Sequence, residues 1–196
     1  MTIGARLTSL APIATITAGR VTLRPVRHAD LDDLLEINGD DAVTRFLPYA
    51  PWRTPEDADA WLVRMQALAA TGTGTQLVIT RNADQKVIGT LLLFRFDAVS
   101  ARVELGYVLG RAHWRQGLAR EAVQALCEHA FLQLGMRRIE AEVNPDNGPS
   151  NALLLGLGFV REGLLRQRWV AKGAAYDTHI YGCLADDWSR RVPANG

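Results

Sequence analysis

Cysteine is scarce: in 196 residues there are two, Cys127 and Cys183. They lie far apart and make neither a metal-binding spacing nor a disulfide framework, so a reduced, cytoplasmic setting is the simplest reading. No apolar run approaches the ~20 residues that cross a bilayer, and no membrane partner is expected. Met1 to Gly19 contains L-A-P-I-A but no continuous apolar stretch behind a basic start, which reads as a loose arm rather than a signal peptide. Charge of one sign is also missing. Lys plus Arg is 22 and Asp plus Glu is 21, a net charge of +1. A dedicated nucleic-acid binder would carry a basic excess, so no direct nucleic-acid partner is expected. His28, His113, His129 and His179 have no ligand spacing, and Cys127 and His129 fall on different faces of a helix, so no metal is predicted.

What is present is enough apolar sequence for a core. With 48% hydrophobic and 22% charged residues, the chain suits one globular domain. We place a flexible arm over 1–17, the domain over 18–190 and a tail over 191–196. Arg far outnumbers Lys. Arg is the better fork for phosphate and carboxylate, although a coding bias would leave the same excess.

Hydrophobic periodicity predicts a mixed α/β order. Arg20–Arg27 alternates as a strand, with Pro25 near its end. Ala29–Ile37 has helical spacing, and Ala42–Leu47 reads as a second short helix. Thr54, Pro55, Glu56 and Asp57 form a helix start, and that helix should run to about Ala70, burying Trp61, Leu62, Met65 and Leu68. Strands follow at Thr75–Thr80, Val87–Phe96 and Arg102–Leu109, an antiparallel meander. A helix from Gly117 presents Ala122, Val123, Leu126, Ala130 and Phe131 on one face and ends at Gly135. Then come a strand over Arg138–Val143, a helix over Pro149–Leu157 stopped by Gly158, and a hairpin of Phe159–Arg168 and Tyr176–Leu184 around Lys172-Gly173.

The stretch H-W-R-Q-G-L-A-R-E-A-V, from His113 to Val123, sits where a strand hands over to a helix. A helix start exposes unpaired N–H groups and a partial positive charge. Gly117 and Ala119 leave that start open, while Arg115 and Arg120 add charge, which suits a phosphate or pyrophosphate. A tight turn with close helix–strand packing would also explain the two small residues. The dinucleotide pattern G-x-G-x-x-G and the P-loop are absent, which turns the reading away from NAD and P-loop nucleotides.

In order and spacing, six stretches resemble the GNAT superfamily of acetyl-CoA-dependent N-acetyltransferases. They are E-L-G-Y-V-L (from Glu104), W-R-Q-G-L-A-R-E-A-V (from Trp114), R-R-I-E-A-E-V (from Arg137), N-G-P-S-N (from Asn147), G-L-G-F-V-R-E-G (from Gly156) and the late Tyr176-Asp177. The likeness is to the RimJ/RimL branch of ribosomal-protein N-terminal acetyltransferases, and it covers about Arg20 to Trp188. It implies a central, mostly antiparallel sheet flanked by helices, with two middle strands splayed to admit the cofactor. The family's Q/R-x-x-G-x-G/A loop falls on Trp114–Ala119, with Trp114 departing at the first position. The resemblance implies that backbone N–H groups of Arg115, Gln116, Gly117, Leu118, Ala119 and Arg120 hold the pyrophosphate of acetyl-CoA. It further implies that Tyr107, Val108 and Leu109 hold the pantetheine through main-chain bonds. Asn147 matches the asparagine that bonds the pantetheine arm, and Ser150 the serine near the thioester sulfur.

Acetyl transfer needs a neutral amine, a polarised carbonyl and a stabilised thiolate. A backbone N–H near Leu109 can polarise the carbonyl, and Ser150 can bond to or protonate the sulfur. Glu104 is the candidate base or ammonium holder. It reads equally well as a surface carboxylate paired with Arg102 or Arg138. The branch's second glutamate falls on Trp169, which shifts weight to Glu104. Glu162 reads as structural. Tyr176 and Asp177 either shape the acceptor end or cap the hairpin. Phe46, Tyr49, Trp52 and Trp61 line the acceptor entrance or belong to the core. The leading acceptor is a peptide or protein N-terminal α-amine, with a ribosomal protein implied by the resemblance. Small amines (antibiotic or polyamine) and a non-catalytic CoA sensor are the alternatives. Homodimers are common in the family, and nothing in the sequence fixes an interface.

Overall fold

The computed structural model describes residues 9–191. Along the chain lie β1 (Ile16–Ala18), β2 (Val21–Pro25), α1 (Leu31–Gly39), α2 (Asp41–Thr44), α3 (Pro55–Ala70), β3 (Thr75–Arg81), β4 (Val87–Asp97) and β5 (Arg102–Leu109). They are followed by α4 (Leu118–Leu132), β6 (Arg138–Val143), α5 (Gly148–Leu157), β7 (Val160–Ala171), β8 (Ala174–Leu184) and α6 (Ala185–Arg191). The described strands form one sheet in the order β1-β2-β3-β4-β5-β6-β8-β7. All neighbours are antiparallel except β5 and β6. The mixed α/β class, the central meander and the last hairpin are as the sequence predicts.

Strand alternation divides the core into two. On β3, Leu77 and Ile79 face one side and Val78 the other. The first side packs against α4 through Leu118, Ala122, Val123, Leu126 and Ala130, and against α5 through Leu154 and Leu157. The second packs against α1 through Leu31, Leu34 and Ile37, and against α3 through Ala58, Trp61 and Leu62. Met65 and Leu68 are only half-buried.

Local chemistry sets the element ends. The Asp57 carboxylate accepts the N–H groups of Arg53 and Thr54 at 2.7 and 3.1 Å, which closes the first turn of α3. The β7–β8 turn has positive φ at both Lys172 (53°) and Gly173 (79°), the mirror-image turn whose twist matches a hairpin. Gly158 stops α5 in the left-handed region at φ 95°.

Two expectations change. The arm predicted over 1–17 is tied down from Ser9 onward: Leu10 and Ile13 are buried in the α4-side core, and the Leu10 N–H donates to Gly72 O at 2.8 Å. Its apolar residues are spaced to reach the sheet, which the absence of a regular period hid. Residues 1–8 and the tail over 192–196 lie outside the described residues. Helix α6, not predicted, seats Trp188 against Phe131 with ring centroids 5.7 Å apart.

β5 and β6 run parallel, and only Arg102–Glu104 pair with Arg138–Glu140. Beyond Glu104 the two strands part. β5 stays with β4 to Leu109, and β6 stays with β8 to Val143. α4 and α5 lie beneath this gap. Leu154, fully buried on α5, anchors the helix that borders it. Leu154→Ala should lower unfolding free energy by about 2–5 kcal/mol, read from the denaturant midpoint at unchanged slope.

Candidate active site

The loop between β5 and α4 is shaped by two left-handed residues, Arg115 (φ 58°) and Gly117 (φ 79°). Gly117 is the N-cap of α4 and offers no side chain to cap it. The first N–H groups of a 15-residue helix therefore face outward, a ready anion site. A Cβ at Gly117 would lie 3.3 Å from the Arg20 guanidinium. That guanidinium donates to Gln116 O at 3.1 Å and to Glu121 Oε2 at 3.0 Å, while the Arg20 N–H donates to Glu121 Oε1. Arg20, at the start of the second strand, thus braces the loop. The sequence pattern did not single it out, because its partners lie about a hundred residues away. Arg120 was expected to add charge over the loop. Its guanidinium instead donates to Gly156 O at 3.0 Å and ties α4 to the end of α5. Arg115 remains exposed beside the helix start.

Ladder alternation shows which β5 groups open into the gap. Gly110 N donates to Ile88 O at 2.8 Å, which makes 110 and 88 a hydrogen-bonded pair. The register then makes Val108 and Thr90 the next such pair. The N–H and C=O groups of Tyr107 and Leu109 therefore point away from β4, into the gap. Those of Val108 point back to β4, so Val108 drops out of the expected main-chain set. Its side chain packs on the α1–α3 side instead. Leu109 O accepts Trp114 Nε1 at 2.7 Å. Trp114, the departure in the loop pattern, thereby clips the loop to the end of β5.

Ser150 lies in the first turn of α5. Asn147 caps that helix by accepting the Ser150 N–H at 3.3 Å. Ser150 Oγ lies 2.6 Å from Tyr107 Oη. Burial pushes the Tyr107 phenol well above its ordinary value, so it stays protonated and can donate. The next residue, Asn151, holds the loop before α5. Its Nδ2 donates to Asn144 O at 3.1 Å and Asn147 O at 2.7 Å, while its Oδ1 faces Tyr181 Oη at 2.6 Å and His179 Nδ1 at 2.9 Å.

Glu104 is the last β5 residue paired to β6, and it leaves the strand on the face opposite Tyr107. It is buried, and its partner is neither Arg102 nor Arg138. Those two bind Glu140, and Arg138 also binds Glu162, which is structural as expected. Arg95 Nη1 instead lies 2.7 Å from Glu104 Oε2 and 3.1 Å from Glu142 Oε1. Burial raises the Glu104 pKa; Arg95 opposes that rise, and Glu142 and Glu140 add to it. Trp169 Nε1 donates to Glu142 Oε2 at 2.6 Å, so the position lacking the expected glutamate holds another carboxylate in place. The sequence reading missed Arg95 and Glu142. The alternation of R-I-E-A-E-V puts Glu140 and Glu142 on one face, but only the strand order brings that face beside Glu104.

Of the remaining candidates, Phe46, Tyr49 and Tyr176 are half-buried. Asp177 Oδ1 accepts the Gln167 N–H at 2.9 Å and closes a bulge in β7. Trp52 and Trp61 are buried, with centroids 5.4 Å apart, and belong to the core. Among the described residues, no three His, Cys, Asp or Glu side chains gather as metal ligands. No described helix is long and apolar enough to cross a membrane.

The family description "Acetyltransferase (GNAT) domain" matches residues 20–160. This chain belongs to the GNAT acetyltransferases. An uncharacterized N-acetyltransferase p20 of Bacillus licheniformis is 35% identical over 89% of this chain and 98% of its own. A ribosomal-protein-serine acetyltransferase of Escherichia coli is 31% identical over 53% of this chain and 58% of its own. The structure of Mycobacterium smegmatis RimJ in complex with CoA-disulfide superposes with a TM-score of 0.78 at 25% identity, covering 94% of this chain and 89% of that one. These relatives set this GNAT chain in the RimJ/RimL-like branch, and it is an acyltransferase.

In this GNAT chain the loop brace is testable by itself. The Arg20 side chain is 60% exposed, so its ion pair with Glu121 contributes under about 1 kcal/mol to global stability. Arg20→Ala should therefore leave the melting temperature nearly unchanged while speeding amide exchange over 121–123, which starts at the Glu121 N–H that Gly117 O accepts at 3.1 Å. Protection equal to that of the parent protein would show that Arg20 does not order the loop.

Proposed function

We propose that this chain transfers the acetyl group of acetyl-CoA to a primary amine, the N-terminal α-amine of a peptide or protein, by direct attack in a ternary complex. The observation that carries this is the β5–β6 gap, with Glu104 on one face, Ser150 and Tyr107 on the other, and the uncapped α4 start at its end. The residues present fit acetyl-CoA. N–H groups from Arg115 to Arg120 would take the pyrophosphate, the Tyr107 and Leu109 main chain the pantetheine, and Asn147 its arm. Acetyl-CoA supplies an acyl group activated as a thioester.

The amine nitrogen forms the new C–N bond as the C–S bond breaks. The amine gives up one proton and the departing thiolate gains one. Glu104, directly or through water, takes the first. Tyr107 and Ser150, hydrogen-bonded to each other, can pass the second to the sulfur. An α-amine, with a free pKa of about 7.7–8.0 against about 10.4 for lysine, needs little help to become neutral. Charge balance on the acceptor face favours a peptide over a polyamine. Glu104, Glu140 and Glu142 are each paired with an arginine among Arg95, Arg102, Arg138 and Arg168, so none of the three stands free for a polycation. The name of the E. coli relative makes a ribosomal-protein N-terminus, in the cytoplasm, the acceptor to try first.

Calorimetric titration with acetyl-CoA, against NAD and ATP as controls, tests the cofactor. Binding by acetyl-CoA alone is expected. Gly117→Glu should abolish it, because a carboxylate at a left-handed position would block and repel the pyrophosphate. Binding retained by Gly117→Glu would remove the loop from the site. Ser150→Ala should lower turnover about 100-fold while leaving acetyl-CoA affinity nearly unchanged. Equal turnover would remove Ser150 from the mechanism.

A further inference from the structure

Arg95 sits where β4 breaks its own regularity. The pairs Phe94–Glu104 and Asp97–Arg102 differ in register, and Arg95 takes φ 52° inside that bulge. A bulge re-aims the side chain it carries. Here it sends a guanidinium from β4 across β5 to β6. A single nitrogen contacts Glu104 on β5 and Glu142 on β6, and Glu142 lies beyond the last residue of β6 that pairs with β5. Arg95 therefore spans the gap on the face where the acceptor would enter. Its guanidinium carbon is 5.6 Å from the Trp169 ring centroid and 5.4 Å from that of Phe94, a flanked cation. Trp169 and Arg168 fix Glu142 from β7.

We propose that Arg95 is the positioning residue for Glu104, holding its carboxylate at the mouth of the gap and linking it to Glu142 and the β7–β8 hairpin. This rests on the role given to Glu104 above. The charged groups that face Glu104 are Arg95 from β4 and Glu140 and Glu142 from β6. Arg102 and Arg138 are engaged by Glu140, and Arg168 by Glu142. Without Arg95, Glu104 is a buried carboxylate beside two others. It would then hold its proton to higher pH, and a protonated Glu104 cannot accept a proton from the amine. Activity that needs the carboxylate falls as pH drops through its pKa. Loss of Arg95 therefore moves that acid limb upward.

The test is kcat/KM against pH for an N-terminal peptide acceptor, with acetyl-CoA affinity measured alongside. Arg95→Met and Arg95→Lys share the same left-handed backbone, so strain cancels between them. Arg95→Met should raise the acid limb by about one to three pH units, with acetyl-CoA affinity unchanged because Arg95 and α4 lie on opposite faces of the sheet. Arg95→Lys should return the limb toward that of the parent protein. If Arg95→Met does not fold, Arg95→Gln, which also removes the charge, carries the same expectation. An acid limb that stays in place, with the rate lowered evenly at every pH, would overturn the role of Arg95. Glu104→Gln separates the two claims. A fully active Glu104→Gln enzyme overturns the base on which this inference rests. An inactive one, together with an unmoved limb in Arg95→Met, overturns the inference about Arg95 alone.

Discussion

β5 carries hydrogen-bonding groups on both edges and, beyond Glu104, has a strand on only one of them. That imbalance is the constraint on which the site depends. A buried N–H or C=O without a partner costs free energy comparable to a lost hydrogen bond. The open edge cannot be closed by β6, because β6 is held by β8 along its whole length and turns away with it. What such an edge accepts is an extended chain with its own amides, bound as an added strand. The helices beneath follow from the same opening. α4 starts at one end of the gap with its N–H groups free, and α5 brings Ser150 against Tyr107.

The two faces of β5 use burial in opposite ways. On the α4–α5 side, burial keeps the Tyr107 phenol neutral and able to donate. On the α1–α3 side, the same effect works against a charged Glu104, and Arg95 opposes it. Three glutamates and four arginines surround that second site. Clusters of this kind add little net stability, because desolvation offsets most of the Coulomb gain. Their effect is to fix direction. Each carboxylate oxygen pinned by a guanidinium or an indole N–H has one orientation rather than several.

Much of this was legible in the residues. The meander, the α4 and α5 helices and the hairpin turn follow from periodicity, Gly117, Gly158 and Lys172-Gly173, because those signals are local. The loop at Gly117 and the start of α5 near Pro149 are local too, whereas the capping of α5 by Asn147 was not read from the sequence. Arg95, Glu142 and Arg20 were not legible. Arg95 owes its direction to a bulge that no residue type announces, Glu142 gains its meaning from the parallel pairing of β5 with β6, and Arg20 reaches its loop from the far side of the sheet. Arg120 was misread for the same reason: its partner, Gly156 O, is visible only once α4 and α5 are packed. Val108 was misread because the chain shows that a strand is present but not which of its edges each peptide faces.

Trp114 shows how a departure from a family pattern can preserve the physics. A glutamine or arginine at that position would bring polar hydrogens to the loop. Trp114 brings one, and its Nε1 donates it to Leu109 O. Leu109 has one N–H and one C=O on the open edge, and the indole engages the carbonyl. At the end of β5 the Leu109 N–H stays open while one lone pair of its carbonyl is taken by the indole, and the α4 start beyond the loop presents only donors. The Leu109 N–H and the first-turn N–H groups of α4 thus stand at the two ends of a loop whose Gly110, His113 and Trp114 N–H groups are bonded within the protein. Such an edge discriminates by polarity. It favours carbonyl and phosphate oxygens and disfavours cations, so the indole at position 114 sharpens the preference that Gly117 opens.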